Sequence, residues 1–177
     1  MNRLFVCVRA MALVAAVILC GVIADRTTQS AKGATATPAP QAGQGGAASE
    51  LASALYIEPA DLAKALADAK GDKPLVLHVG FRNLYNQAYI PGAEYQGPGS
   101  TPAGLELLRK RVASLPKNKY IVIYCGCCPW THCPNMKPAY DALHAMGFTK
   151  VKVLHIDNNF KTDWMDKGYS VAKAISE

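Results

Sequence analysis

The chain has 177 residues, of which 50% are hydrophobic, 18% charged and 8% aromatic. That is enough for one domain of ordinary size, and it excludes a wholly disordered or collagen-like chain. The formal net charge of +6 is too mild to imply nucleic acid binding, and only one stretch is apolar enough to enter a bilayer, which excludes a polytopic membrane protein.

That stretch comes first. Arg3 and Arg9 precede the uncharged run Ala10 to Ala24. A positive flank, an apolar run and small residues at its end read as a secretory signal cut after Ala24. Taken from Leu4 with Arg9 snorkelling to the headgroups, the same residues 1–24 read as an uncleaved N-terminal membrane anchor. Leu19 before Cys20 disfavours a lipoprotein site. Residues 25–49 are rich in Ala, Gly, Thr, Gln, Ser and Pro, carry no aromatic residue and read as a flexible linker. On either reading the domain, residues 50–177, is exported to a periplasmic or extracytoplasmic compartment, where thiols meet oxidising conditions.

Within the domain, Glu58-Pro59 opens a helix with Leu62, Ala65, Leu66 and Ala69 on one face and Gly71 as its stop. Pro74 to Val79 is a short apolar strand. Ile90-Pro91-Gly92-Ala93 and Gly97-Pro98-Gly99 punctuate turns. Gly104 to Leu115 reads as a helix with Leu105, Leu108 and Val112 inward. Lys119 to Tyr124 is the clearest strand in the chain. Pro134 opens a helix to about Met146, which Gly147 ends. Val151 to Ile156 is a third strand, and Asn159 to about Lys167 a last short helix. Apolar strands alternating with helices predict an α/β fold, a mainly parallel central sheet with helices on both faces. In such sheets ligands bind beyond the carboxyl ends of the strands.

The segment after Tyr124 is such a place. Of six cysteines, four stand at 125, 127, 128 and 133, with His132 among them. A thiol at a strand end, facing a helix start, has its thiolate favoured by unpaired N–H groups and the helix dipole. The same N–H groups suit a sulfur-bound anion.

The arrangement resembles the rhodanese family of sulfurtransferases over about Ile57 to Val171. The resemblance rests on Val76-Leu77-His78-Val79 followed by Ile90-Pro91-Gly92-Ala93, on Ile121 to Cys125, on Gly147-Phe148 with Val151, and on Trp164 with Gly168-Tyr169-Ser170-Val171. It departs from the family pattern at several points. His78 and Gly80 stand where Asp and Arg are usual, Ala88-Tyr89 where Gly-His is usual, Asn158-Asn159 where two glycines are usual, and Ser170 where Pro is usual. The cysteine loop is also a few residues longer than in short-loop members.

The resemblance implies that Cys125, or Cys128 if the register slips, accepts sulfane sulfur from a small sulfur-containing anion. The sulfur would pass to a thiol, a cyanide ion or a protein acceptor, with no cofactor. Gly126, Cys127, Cys128, Trp130, Thr131, His132 and Arg82 are then candidates for the anion cradle. Cys127, Cys128 and Cys133 are open to three readings: a resolving or protective disulfide, a soft-metal site with His132, or structural thiols. A thiol–disulfide redox protein and a metal- or sulfur-binding module on the same fold are the competing functions. His78 and Trp164 read as buried core. His132, Trp130 and Arg82 each have a plainer role open to them, as a surface histidine, a packing plug and an ion-pair arginine.

Overall fold

The computed structural model describes residues 48–174. The signal or anchor and nearly all of the proposed linker lie outside the described residues. Alternation along the strands organises the rest. Leu77, Val79, Ile121, Ile123, Cys125, Val151 and Val153 point to one face of a sheet and pack with Leu108, Val112, Met136, Ala139 and Leu143. Val76, Val122, Tyr124, Leu154 and Ile156 point to the other and pack with Leu62, Ile90 and Trp164. A strand apolar on both sides needs cover on both sides, and that is what selects a parallel, helix-flanked sheet.

The elements are β1 (Tyr56–Ile57), α1 (Pro59–Ala67), β2 (Leu75–His78), α2 (Arg82–Gln87), β3 (Glu94–Tyr95), α3 (Pro102–Val112), β4 (Ile121–Tyr124), α4 (Met136–Ala145) and β5 (Val151–Leu154), with short 3₁₀ turns at Ala48–Glu50, Ser53–Leu55 and Trp130–His132 and a π turn at Lys161–Met165. The five strands form one sheet in the order β1-β5-β4-β2-β3. Every pairing is parallel, and the register sets His78 beside Tyr124. The α/β class expected from the sequence is the one observed. Among the described residues no helix is long and apolar enough to cross a membrane.

Several boundaries move. α3 begins at Pro102 rather than Gly104, because Thr101 caps it: its side-chain oxygen accepts from Gly104 N–H at 3.1 Å. α4 begins at Met136 rather than Pro134, after the N-cap Asn135. The last helix is a π turn, not an α-helix. The packed chain also starts before residue 50. Ala48 is fully buried, and its N–H donates to the Cys133 carbonyl at 3.1 Å. The two-residue strands β1 and β3 and the polar helix α2 have no counterpart in the sequence reading.

Candidate active site

The strand alternation that fills the core also aims the cysteine. Cys125 follows β4 on the same face as Ile121 and Ile123, so its sulfur meets the start of α4. Gly126 then turns the chain with φ of 71°, a conformation side chains resist. A Cβ there would lie 2.6 Å from Phe160 Cβ, and Phe160 N–H donates to the Gly126 carbonyl at 3.1 Å. The loop is fastened again further on. Trp130 is buried, its backbone N–H donates to the Asp157 carbonyl at 3.1 Å, and its indole N–H donates to Tyr56 Oη at 3.3 Å.

Cys125 is 3% exposed. It lines a cavity of about 240 Å³ with His78, Ala88, Tyr124, Gly126, Phe160 and Lys161, among others. Gly80 makes room for the sulfur, since a Cβ at that position would stand 2.8 Å from Cys125 Sγ. From the α4 side, the fully buried Asn135 donates through Nδ2 to Cys125 Sγ at 3.2 Å and, more distantly, to Cys127 Sγ at 3.8 Å. The orientation of that amide is fixed. Its Oδ1 accepts from Ser100 N–H at 3.1 Å and from the Ser100 hydroxyl at 2.8 Å, so the nitrogen must face the sulfurs. The sequence reading missed Asn135.

The sulfurs of Cys125, Cys127 and Cys133 all lie within 4.8 Å of one another. Cys128 Sγ stands 3.1 Å from Cys127 Sγ. All four are free thiols. Buried thiols this close cannot all ionise, and one negative charge is shared among them. Cys133 is pulled down from the usual thiol range by hydrogen bonds from Cys125 and then Cys127, and further by the backbone N–H of Asn135. Cys125 is raised well above the usual thiol range, because it donates to Cys127 and Cys133 and because it is buried. At Cys127 the bond with Cys125 pulls the pKa down, but donation to Cys133 and burial outweigh it, and the net shift is upward. Burial, then donation to Cys127, pushes Cys128 up to about 11. The sequence leads one to expect the charge on Cys125. In the structure burial and donation to its neighbours raise Cys125, while the hydrogen bonds that Cys133 accepts favour its ionised form.

His78 is 2% exposed and neutral, its pKa lowered to about 4 by burial against a smaller opposing effect of a hydrogen bond to the Cys125 backbone. Its Nδ1 accepts from Gly80 N–H at 3.4 Å. It therefore braces the turn that faces the thiol.

The expected cradle is only partly assembled. Gly126 and Cys127 line the cavity with Cys125, whereas Arg82, Cys128, Trp130, Thr131, His132 and Cys133 do not. Arg82 is exposed and lies over the Tyr95 ring, 4.0 Å from its centroid. Trp130 packs edge-on against Tyr56 and His155. Thr131 and His132 are exposed and pair with each other at 2.9 Å. The backbone N–H groups of Trp130, His132 and Cys133 are taken by the carbonyls of Asp157, Pro129 and Trp130, whereas those of Gly126, Cys127 and Cys128 donate to no backbone carbonyl among the described residues. Lys161, from the segment after β5, also lines the cavity, with its ammonium held by both carboxylate oxygens of Asp166 at 2.6 and 2.8 Å. The rule that sites gather at strand ends, applied to β5 as well as β4, would have found it. A soft metal ion would meet Cys125, Cys127 and Cys133 rather than a set containing His132.

The model of the Rhodanese-like domain matches residues 58–157. Among solved structures, the Alr3790 protein from Anabaena sp. is similar at a TM-score of 0.52 and 22% identity, covering 68% of this chain and 94% of that one. The BH2092 protein from Bacillus halodurans has a TM-score of 0.52 and 22% identity, covering 68% of this chain and 77% of that one. Thiosulfate sulfurtransferase from Pseudomonas aeruginosa has a TM-score of 0.50 and 19% identity, covering 69% of this chain and 21% of the larger enzyme. At these identities the likeness is one of fold. No curated protein matches the chain.

Proposed function

The chain belongs to the rhodanese-like domain family, and from that premise we propose that it is a sulfurtransferase carrying sulfane sulfur on Cys125. The observation that carries this reading is the setting of the sulfur. It lines a cavity at the carboxyl edge of a parallel sheet, beside a helix start, with an oriented amide N–H donating to it at 3.2 Å.

The chemistry is two displacements at sulfur. As Cys125 attacks the outer sulfur of thiosulfate, its proton passes to the Cys133 thiolate along the contact between them. The S–S bond of the donor breaks, sulfite leaves, and Cys125 holds a persulfide. The negative terminal sulfur is met by the backbone N–H groups of Gly126 to Cys128. Cyanide or an acceptor thiolate then attacks that terminal sulfur. Cyanide leaves as thiocyanate, an acceptor thiol leaves as a persulfide, and the Cys125 thiolate takes its proton back from Cys133. No bound cofactor takes part in either step. The N-terminal segment is proposed to carry the domain out of the cytoplasm, cleaved or held in the membrane, where its donor would be a small sulfur anion.

Intact-protein mass spectrometry tests this. Thiosulfate treatment should add one sulfur atom, cyanide should remove it, and Cys125→Ser should take up none. A wild-type protein that gains no sulfur refutes the reading. A second reading, thiol–disulfide exchange, is favoured by the close sulfurs of Cys127 and Cys128 at 3.1 Å and by the thiol cluster around Cys125. It would show in the same spectra as a loss of two hydrogens on oxidation without any gain of sulfur.

A further inference from the structure

Sulfur transfer needs one thiol to attack and one to take its proton, and the loop holds more sulfur than that. Cys125 comes from the strand end, Cys127 from the turn after Gly126, and Cys133 from the end of the Trp130–His132 turn. Three sulfurs from three positions along the loop reach one point. Their mutual distances, all within 4.8 Å, compare with about 4 Å between the sulfurs of a trigonal ion whose metal–sulfur bonds are about 2.3 Å. Side-chain rotations of less than about 1 Å at each sulfur close that gap.

The donor set is uniform. It holds no carboxylate and no imidazole, since His132 is turned to Thr131, and Cys128 stands outside the group of three. Three sulfurs mutually within 4.8 Å, with Cys128 in contact with Cys127 at 3.1 Å, suit a soft monovalent ion that accepts trigonal coordination. Zinc, by contrast, takes four ligands in structural sites. Around the sulfurs stands the kind of neutral donor that orients thiolates and disperses their charge. Asn135 Nδ2 faces Cys125 at 3.2 Å and Cys127 at 3.8 Å, held in place by Ser100. We propose that Cys125, Cys127 and Cys133 form a three-thiolate site for Cu(I), with Asn135 as its outer-shell support. Copper and sulfane sulfur then compete for Cys125, and a copper-loaded chain accepts no sulfur.

The test uses the full chain, reduced and free of oxygen, titrated with Cu(I) against a chromogenic Cu(I) chelator. One copper per chain is expected. X-ray absorption of the loaded wild type should show three sulfurs at about 2.3 Å. Cys125→Ser, Cys127→Ser and Cys133→Ser should each weaken binding by more than about a hundredfold, beyond what outer-shell changes cost. Cys128→Ser, which removes the thiol beside Cys127, should cost about tenfold to at most a hundredfold, less than any ligand change, and His132→Ala should leave binding unchanged. Two sulfurs at the metal, a nitrogen ligand, or an equal loss in Cys128→Ser would overturn the site. The wild-type absorption spectrum decides the question even if a variant fails to fold. Thiosulfate loading, measured on copper-free protein, keeps the two assignments separate. Sulfur uptake without copper binding removes this site alone, and copper binding without sulfur uptake removes the sulfurtransferase reading alone.

Discussion

Asn135 does two jobs that are usually divided. It occupies the N-cap of α4, yet its side chain makes no capping bond and instead links Ser100 to the sulfur of Cys125. A hydrogen bond to an ionised group contributes about 1.5–3 kcal/mol. Asn135→Ala should therefore slow sulfite release from thiosulfate by about tenfold or more and move the rate profile toward higher pH. A variant with unchanged rate and unchanged pH profile would show that the amide does not act on the sulfur. None of this could be read from the sequence, because the contact that fixes the amide spans 35 residues and lies in a loop. Cys125 itself was legible, as a thiol at the end of an apolar run. Arg82 stayed open between two roles for a related reason: its charge is visible in the sequence, but its engagement by Tyr95 belongs to the packing of α2 against β3.

Elements differ in how clearly they announce themselves. β4, with four buried residues, and the helices α1, α3 and α4 carry apolar periodicity long enough to recognise. β1 and β3, at two residues each, are shorter than any alternation, and they exist because partner strands supply their hydrogen bonds. Turns behave similarly. Gly126 and Gly147 both hold positive φ, at 71° and 86°, but only Gly126 has a neighbour within reach of a Cβ. Gly147→Ala should cost about 1 kcal/mol of backbone strain. Gly126→Ala should cost more, about 2–4 kcal/mol, because Phe160 and the segment behind it must move. Urea unfolding of the two variants checks the ordering, and equal losses would mean that the Phe160 contact relaxes freely.

The molecule as a whole carries a pH dependence in its core. His78 is buried and neutral, with a pKa of about 4 against an ordinary 6.5. The unfolded chain therefore binds a proton that the folded chain refuses, and stability rises with pH between about 4 and 6.5. Stability from this group is complete above 6.5 and falls as the pH drops, by on the order of 3 kcal/mol at pH 4. His78→Gln should flatten that part of the curve in urea unfolding at pH 7 and pH 4.5, with the two proteins differing most at the acid end. If the variant kept the full slope, other groups would have to account for it.

The parity of β4 has a consequence for how such a protein can change. Removing or adding one residue between Ile121 and Cys125 would swing the thiol through half a turn, away from α4 and into the cluster around Trp164. Past Gly126 no such rule applies, because the chain is irregular until Trp130 is tied to Asp157 and Tyr56. The position of the reactive atom is thus indifferent to the length of the loop downstream. New sulfur-bearing residues can be grafted between those two fastenings while the old one stays where the sheet delivers it.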